Sequence, residues 1–213
     1  MPLTATLPRI HAVTNDEIVH DPQFLARAAA VMRALGDRGA VHLRAHRISG
    51  AKLHDMALKL VALQEETGSW VVVNDRVDVA LAASASAIQL TSASLSVADA
   101  RLLTPNARIG ASVHTPAEAE NAAREGAEWA VAGNVFPTAS HIGRKGRGAA
   151  FLRAIAAVGI PVIAIGGVKA EHVSELREAG AYGVAMIRGV WAADDAERAA
   201  TRYLSIYDAH GGA

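Results

Sequence analysis

The sequence predicts a single-domain (β/α)8 TIM barrel, on three observations. Short β-branched apolar runs alternate with Ala-rich stretches of helical periodicity along the whole chain. Those runs are apolar on both faces, as strands of a parallel sheet are when both sides are covered. No Gly-rich fingerprint follows the first run, where His11-Ala12-Val13-Thr14 leads into Asn15 and Asp16. That lowers the competing reading, an open doubly wound sheet of the dinucleotide-binding kind. The eight runs favour the barrel.

In chain order the strand candidates are Ile10–Val13, Ala40–Arg44, Trp70–Asn74, Ala87–Leu90, Arg108–Val113, Glu128–Ala132, Pro161–Ile165 and Gly183–Ile187. Between them lie helical stretches. Asp21–Leu35 places Phe24, Leu25, Ala28, Val31, Met32 and Leu35 on one apolar face. Ala51–Glu66 does the same with Leu53, Met56, Ala57, Leu60, Val61 and Leu63. Thr115–Glu125, Phe151–Ala157, Glu171–Ala179 and Ala193–Tyr207 complete the set. Thr115-Pro116 reads as an N-cap followed by proline at the first helical position. Gly126 and Gly180 stand just past helix ends. The residues 210–213 are expected to be loose.

Composition narrows the function. The chain has 213 residues, no cysteine, and 21 basic against 21 acidic side chains. Without cysteine there are no disulfides, thiolate metal sites or thiol nucleophiles. Zero net charge argues against a general nucleic-acid binder or an anionic-membrane binder. Hydrophobic residues are 51% but aromatics only 4%, so the core is aliphatic. No basic segment precedes a long apolar run near the N-terminus, and the apolar runs are too short for a membrane span. The expectation is a soluble, cytoplasmic protein.

In this architecture the active site gathers at the C-terminal ends of the strands. His42, Arg44 and His46 alternate along the second strand and would share one face. The third strand ends in Asn74-Asp75-Arg76, the fourth in Gln89-Leu90-Thr91, the fifth in Ser112 and His114. A long loop with Thr138, Ser140 and His141 follows the sixth and runs on through Arg144, Lys145 and Arg147. Its glycines, hydroxyls and cations suit an anion cradle or lid; a solvated basic loop has the same composition. Gly166-Gly167 after the seventh strand, with Ile187-Arg188 after the eighth, suits the phosphate site of such barrels. A tight strand-to-helix turn would use the same two glycines. The histidines do not read as a metal site, because Arg44 lies between two of them and would repel a cation. Acid–base or hydrogen-bonding roles fit them better.

Taken in order, these segments resemble a known family. Val73-Asn74-Asp75-Arg76 resembles the Asn-Asp-Arg segment of thiamine phosphate synthases and their TenI-type thiazole tautomerase relatives. Val41-His42-Leu43-Arg44 stands where the synthases read Gln-Leu-Arg. Ile88-Gln89-Leu90, Gly110-Ala111-Ser112, Gly133-Asn134-Val135-Phe136-Pro137-Thr138, Ile165-Gly166-Gly167-Val168 and Gly183-Val184-Ala185-Met186 follow in the family's sequence. The resemblance implies the same barrel and a small phosphorylated ligand. The balanced charge predicts no nucleic-acid or membrane partner, and a homo-oligomer is left open.

Two activities branch from it. A synthase joins a pyrimidine diphosphate to a thiazole phosphate and releases pyrophosphate. It would use magnesium, with Asp75 as one ligand; Ser94 stands where a second acid is expected. His46 and His141 stand where the synthases carry lysines. A TenI-type tautomerase moves a proton to aromatise a thiazole carboxylate phosphate and needs no cofactor. Residues 140–148 resemble that branch more, so the tautomerase is the leading expectation, with the synthase as alternative and an inactive phosphate-binding barrel as the third. Asn134 occupies the position of the branch's acid–base histidine, and an amide does not shuttle protons. The catalytic candidates are therefore His141, then His46, with Asn134 marking the site. Binding of substrate and phosphate is expected from His42, Arg44, Asn74, Asp75, Ser112, Thr138, Ser140, Gly166, Gly167, Ile187 and Arg188.

Overall fold

A computed structural model describes residues 6–138 and 145–209. Its eight strands are β1 (Ile10–Val13), β2 (Gly39–Leu43), β3 (Trp70–Asn74), β4 (Ala87–Leu90), β5 (Ile109–Val113), β6 (Trp129–Ala132), β7 (Val162–Ile165) and β8 (Gly183–Met186). All pair in parallel in chain order, and β8 closes on β1 with Ile10 opposite Val184. The (β/α)8 barrel expected from the sequence is the fold.

Alternation along the strands separates two apolar layers. On β3, Trp70 and Val72 point to the barrel interior, while Val71 and Val73 pack outward beneath the helices. The interior also holds Val13, Ala40, Ala87, Trp129, Val131, Ile163 and Ala185. Trp129 is its largest plug, fully buried and edge-on to Trp70. Gly110 opposite it has no alternative: a Cβ there would lie 2.1 Å from the indole.

The outer layer comprises α1 (Asp16–His20), α2 (Phe24–Leu35), α3 (Gly50–Thr67), α4 (Val77–Ala82), α5 (Val97–Leu103), α6 (Pro116–Arg124), α7 (Gly148–Ala156), α8 (Val173–Glu178), α9 (Arg188–Trp191) and α10 (Ala196–Ala209). Side-chain caps start several of them. Asn15 accepts from the Ile18 N–H, Ser96 from Asp99 and Thr115 from Glu118. α2 and α10 pack together, and Phe24 lies against Trp191.

Several boundaries differ from those read in the sequence. Asp21 ends α1 rather than opening α2, because Asn15 caps a separate five-residue helix. β2 stops at Leu43, so of the three alternating residues only His42 lies in the strand. Arg44 and His46 lie in the connection to α3. The helix expected from Glu171 is a 3-10 turn, Ala170–His172, running into α8. The last helix begins at Ala196, after the separate short α9. No helix among the described residues is long and apolar enough to cross a membrane.

Candidate active site

A cavity of about 1300 Å³ opens at the C-terminal ends of the strands. Its floor is polar. His11 and His42, on adjacent strands, are both buried and both inside the barrel. His11 Nε2 lies 3.0 Å from the Pro8 carbonyl oxygen, and His11 Nδ1 lies 2.8 Å from His42 Nε2. A carbonyl only accepts, so His11 carries its proton on Nε2. His11 Nδ1 is then the acceptor, and His42 Nε2–H donates to it. Burial holds both rings neutral: it pushes His11 down to about 4, against the opposing pull of the Pro8 carbonyl. His42 is held well below its ordinary value by burial and then by neighbouring His11.

Asn74 stands next to His42, where its side chain opposes the lowering that burial causes. Asn74 Oδ1 is left buried and without a donor. Such an atom is costly unless a ligand supplies an N–H or O–H.

A second relay runs beside the first. Trp129 Nε1–H donates to Gln89 Oε1 at 2.9 Å, which turns the Gln89 amide nitrogen toward Ser112 Oγ at 3.2 Å. The plug of the barrel thus orients the floor of the cavity.

The walls carry charge of one sign. Arg44, Lys145, Arg147, Lys169 and Arg188 line the cavity, with His46 and His114 beside them. Among the described residues that line it there is no aspartate or glutamate. Arg147 donates to the His114 carbonyl and stacks on Phe151. Arg44 and Arg188 have no carboxylate partner among the described residues.

The strand-7 turn is built against the strand-6 loop. Val135 N–H donates to the Ile165 carbonyl and Phe136 N–H to that of Gly166, each at 2.9 Å. Gly167 has φ +65°, and a Cβ on it would sit 2.4 Å from the Pro137 carbonyl oxygen. Gly167→Ala is therefore strained and displaces the turn. If the turn holds the phosphate expected from the sequence, affinity for thiazole phosphate should fall about tenfold to a hundredfold, as calorimetry would read. Unchanged affinity would remove the turn from the ligand site.

Most residues expected from the sequence meet here. His42, Arg44, His46, Asn74, Ser112, Asn134, Thr138, Gly166, Gly167, Ile187 and Arg188 all line the cavity. Ser140 and His141 lie outside the described residues. Asp75 stands behind the wall rather than in it: its Oδ1 accepts from the Thr91 N–H at 2.9 Å and the Thr91 hydroxyl at 2.8 Å. His46 is exposed, and its backbone N–H is held by Asp16. Sequence reasoning missed Lys169 and the His11 partner of His42. Alternation does place His11 on the inward face with Val13, which was the available signal.

Comparison with known proteins agrees with the fold. The family model described as thiamine monophosphate synthase matches residues 10–190. The chain belongs to this family. A thiamine-phosphate synthase of Chlorobium luteolum is 40% identical over 83% of this chain and 85% of its own length. That of Salinispora arenicola is 38% identical, over 94% of this chain and 97% of its own. The solved thiamine phosphate pyrophosphorylase of Pyrococcus furiosus superposes with a TM-score of 0.82 at 30% identity, covering 96% and 97% of the two chains.

The family implies magnesium, and the residues present do not fit a preformed site for it. Asp75 offers one carboxylate, with one oxygen already accepting twice from Thr91. Ser94 stands at the expected second acid, its hydroxyl donating to the Leu95 carbonyl at 3.4 Å. Among the described residues no group of three His, Cys, Asp or Glu could hold a metal.

Proposed function

We propose that the chain is a thiamine-phosphate synthase, joining a pyrimidine carried as its diphosphate to a thiazole phosphate. The observation that carries this reading is the wall of five permanent cations, without a carboxylate, that the described residues place around about 1300 Å³. A site for one drug-sized ligand measures roughly 300–1,000 Å³. The space suits two ligands and the charge suits two phosphorylated ones. The names of the relatives point the same way. The tautomerase expectation has weaker support: Asn134 brings an amide to the position where that chemistry wants a base.

In the reaction, the bond from the pyrimidine methylene carbon to the diphosphate oxygen breaks. The thiazole nitrogen forms a bond to the same carbon, and pyrophosphate departs. Charge grows on the departing oxygen, and fixed cations aimed at it stabilise that transition state more than the ground state. The strand-7 glycines and Arg188 hold the thiazole phosphate at one side of the cavity. On the floor, Asn74 Oδ1 accepts from a ligand donor, and Trp129 keeps Gln89 from flipping.

Incubation with both substrates should release pyrophosphate in step with coupled product, followed by chromatography. Aromatisation of a thiazole carboxylate phosphate without coupling would return the tautomerase reading. Neither reaction, with phosphate ligand still bound, would leave a binding protein and end the proposal.

A further inference from the structure

We propose that this site takes the diphosphate as a metal-free anion, neutralised by Arg44, Lys145, Arg147, Lys169 and Arg188. The proposal rests on the synthase reading and departs from what the family implies. Its ground is where the carboxylates near the cavity have gone. Asp16 Oδ1 accepts from the His46 and Arg47 N–H groups at 2.9 and 2.6 Å. Glu118 Oε2 accepts from the His114 N–H at 2.7 Å. Asp75 Oδ1 accepts twice from Thr91. Each shapes a loop at the rim, and none is among the cavity's lining residues.

A divalent cation here would find at most one carboxylate oxygen of Asp75 and several like charges. Magnesium favours octahedral oxygen sets, usually one or two carboxylates completed by phosphate and water. A polyanion finds the opposite: guanidinium and ammonium donors, with one competing carboxylate among the described residues, exposed Glu171 at 3.8 Å from Lys169 Nζ. Arg44 is half-buried at the start of the β2–α3 connection, its backbone pinned by Thr14 through bonds of 2.9 and 3.0 Å. That anchoring fits a fixed clamp better than a screening surface charge.

Calorimetry on the full chain with inorganic pyrophosphate, in excess EDTA and then in excess magnesium, tests this. Binding should be as tight in EDTA, or tighter, since magnesium also sequesters pyrophosphate in solution. Asp75→Asn should leave the EDTA affinity within about twofold, and Arg44→Gln should weaken it about tenfold or more, as loss of a charge-assisted contact does. Tenfold tighter binding with magnesium, lost in Asp75→Asn, would overturn the proposal, as would no binding in EDTA. Circular dichroism of both variants checks folding, and an unfolded Arg44→Gln would be replaced by Arg188→Gln. Running the coupling reaction in both buffers separates the two claims. Coupling in EDTA supports both. Coupling only with magnesium keeps the synthase and removes the metal-free site. Equal pyrophosphate binding without coupling keeps the anion site and removes the synthase.

Discussion

Acidification from about pH 7.5 to about pH 4.5 should cost the barrel roughly 2–3 kcal/mol from His11 alone. In the folded state burial pushes His11 down to about 4, whereas in the unfolded chain it returns to about 6.5. Between those values the unfolded chain binds the extra proton, so stability rises with pH. His11's contribution is fully present above the unfolded value and is lost as pH falls through the folded one. His42 titrates in the same direction, held well below its ordinary value. The window lies mostly above the ordinary carboxylate range, which separates it from general acid unfolding. Urea midpoints across the range should fall steadily below about pH 6.5 at constant slope. Midpoints flat from about pH 7 to about pH 5 would show that the pair is not the dry, neutral relay described.

Trp129→Ala should be the most damaging single truncation, costing about 3–5 kcal/mol. The indole is 1% exposed, stacks edge-on with Trp70, and fills the space that Gly110 leaves. Strands tied into a closed sheet cannot collapse onto the void. The same change removes the donor that holds Gln89. Two readouts should therefore move together: a lower denaturation midpoint and weaker ligand binding at temperatures where the variant is still folded. Trp129→Phe keeps most of the volume but not the N–H. It should recover much of the stability and less of the affinity. Full recovery of both would reduce Trp129 to filler.

The eight strands were legible because a buried parallel strand is a short apolar run with punctuation at each end. Boundaries slipped by one residue where the flanking side chain was ambiguous, as at Gly39 and Ile187. The helices α1, α4, α5 and α9 span four to seven residues and were not separately legible. Fewer than two turns carry too little period to register. Site residues at strand ends were legible because the architecture says where to look. Lys169 was not, because it comes three residues after Gly166, beyond the turn that drew attention. The position of Asp75 was not legible either: its left-handed backbone, φ +62°, and its bonds to Thr91 depend on a neighbour sixteen residues away.

The one-signed wall reaches further than the ligands it touches. The chain has 21 acidic and 21 basic residues, so positive charge at the cavity mouth leaves a matching negative excess elsewhere on the surface. A molecule neutral overall then carries a permanent dipole with its positive end at the entrance. A polyanion drifting past feels a field that turns the protein toward it and draws it inward before any contact forms. Capture should therefore be fast in dilute buffer and slow markedly as ionic strength rises and the Debye length shrinks to about 8 Å at physiological salt. Such a field cannot tell one phosphate ester from another. In the proposed reaction, selection would fall to the uncharged floor, where Asn74, Gln89 and Ser112 meet only what has already been drawn in.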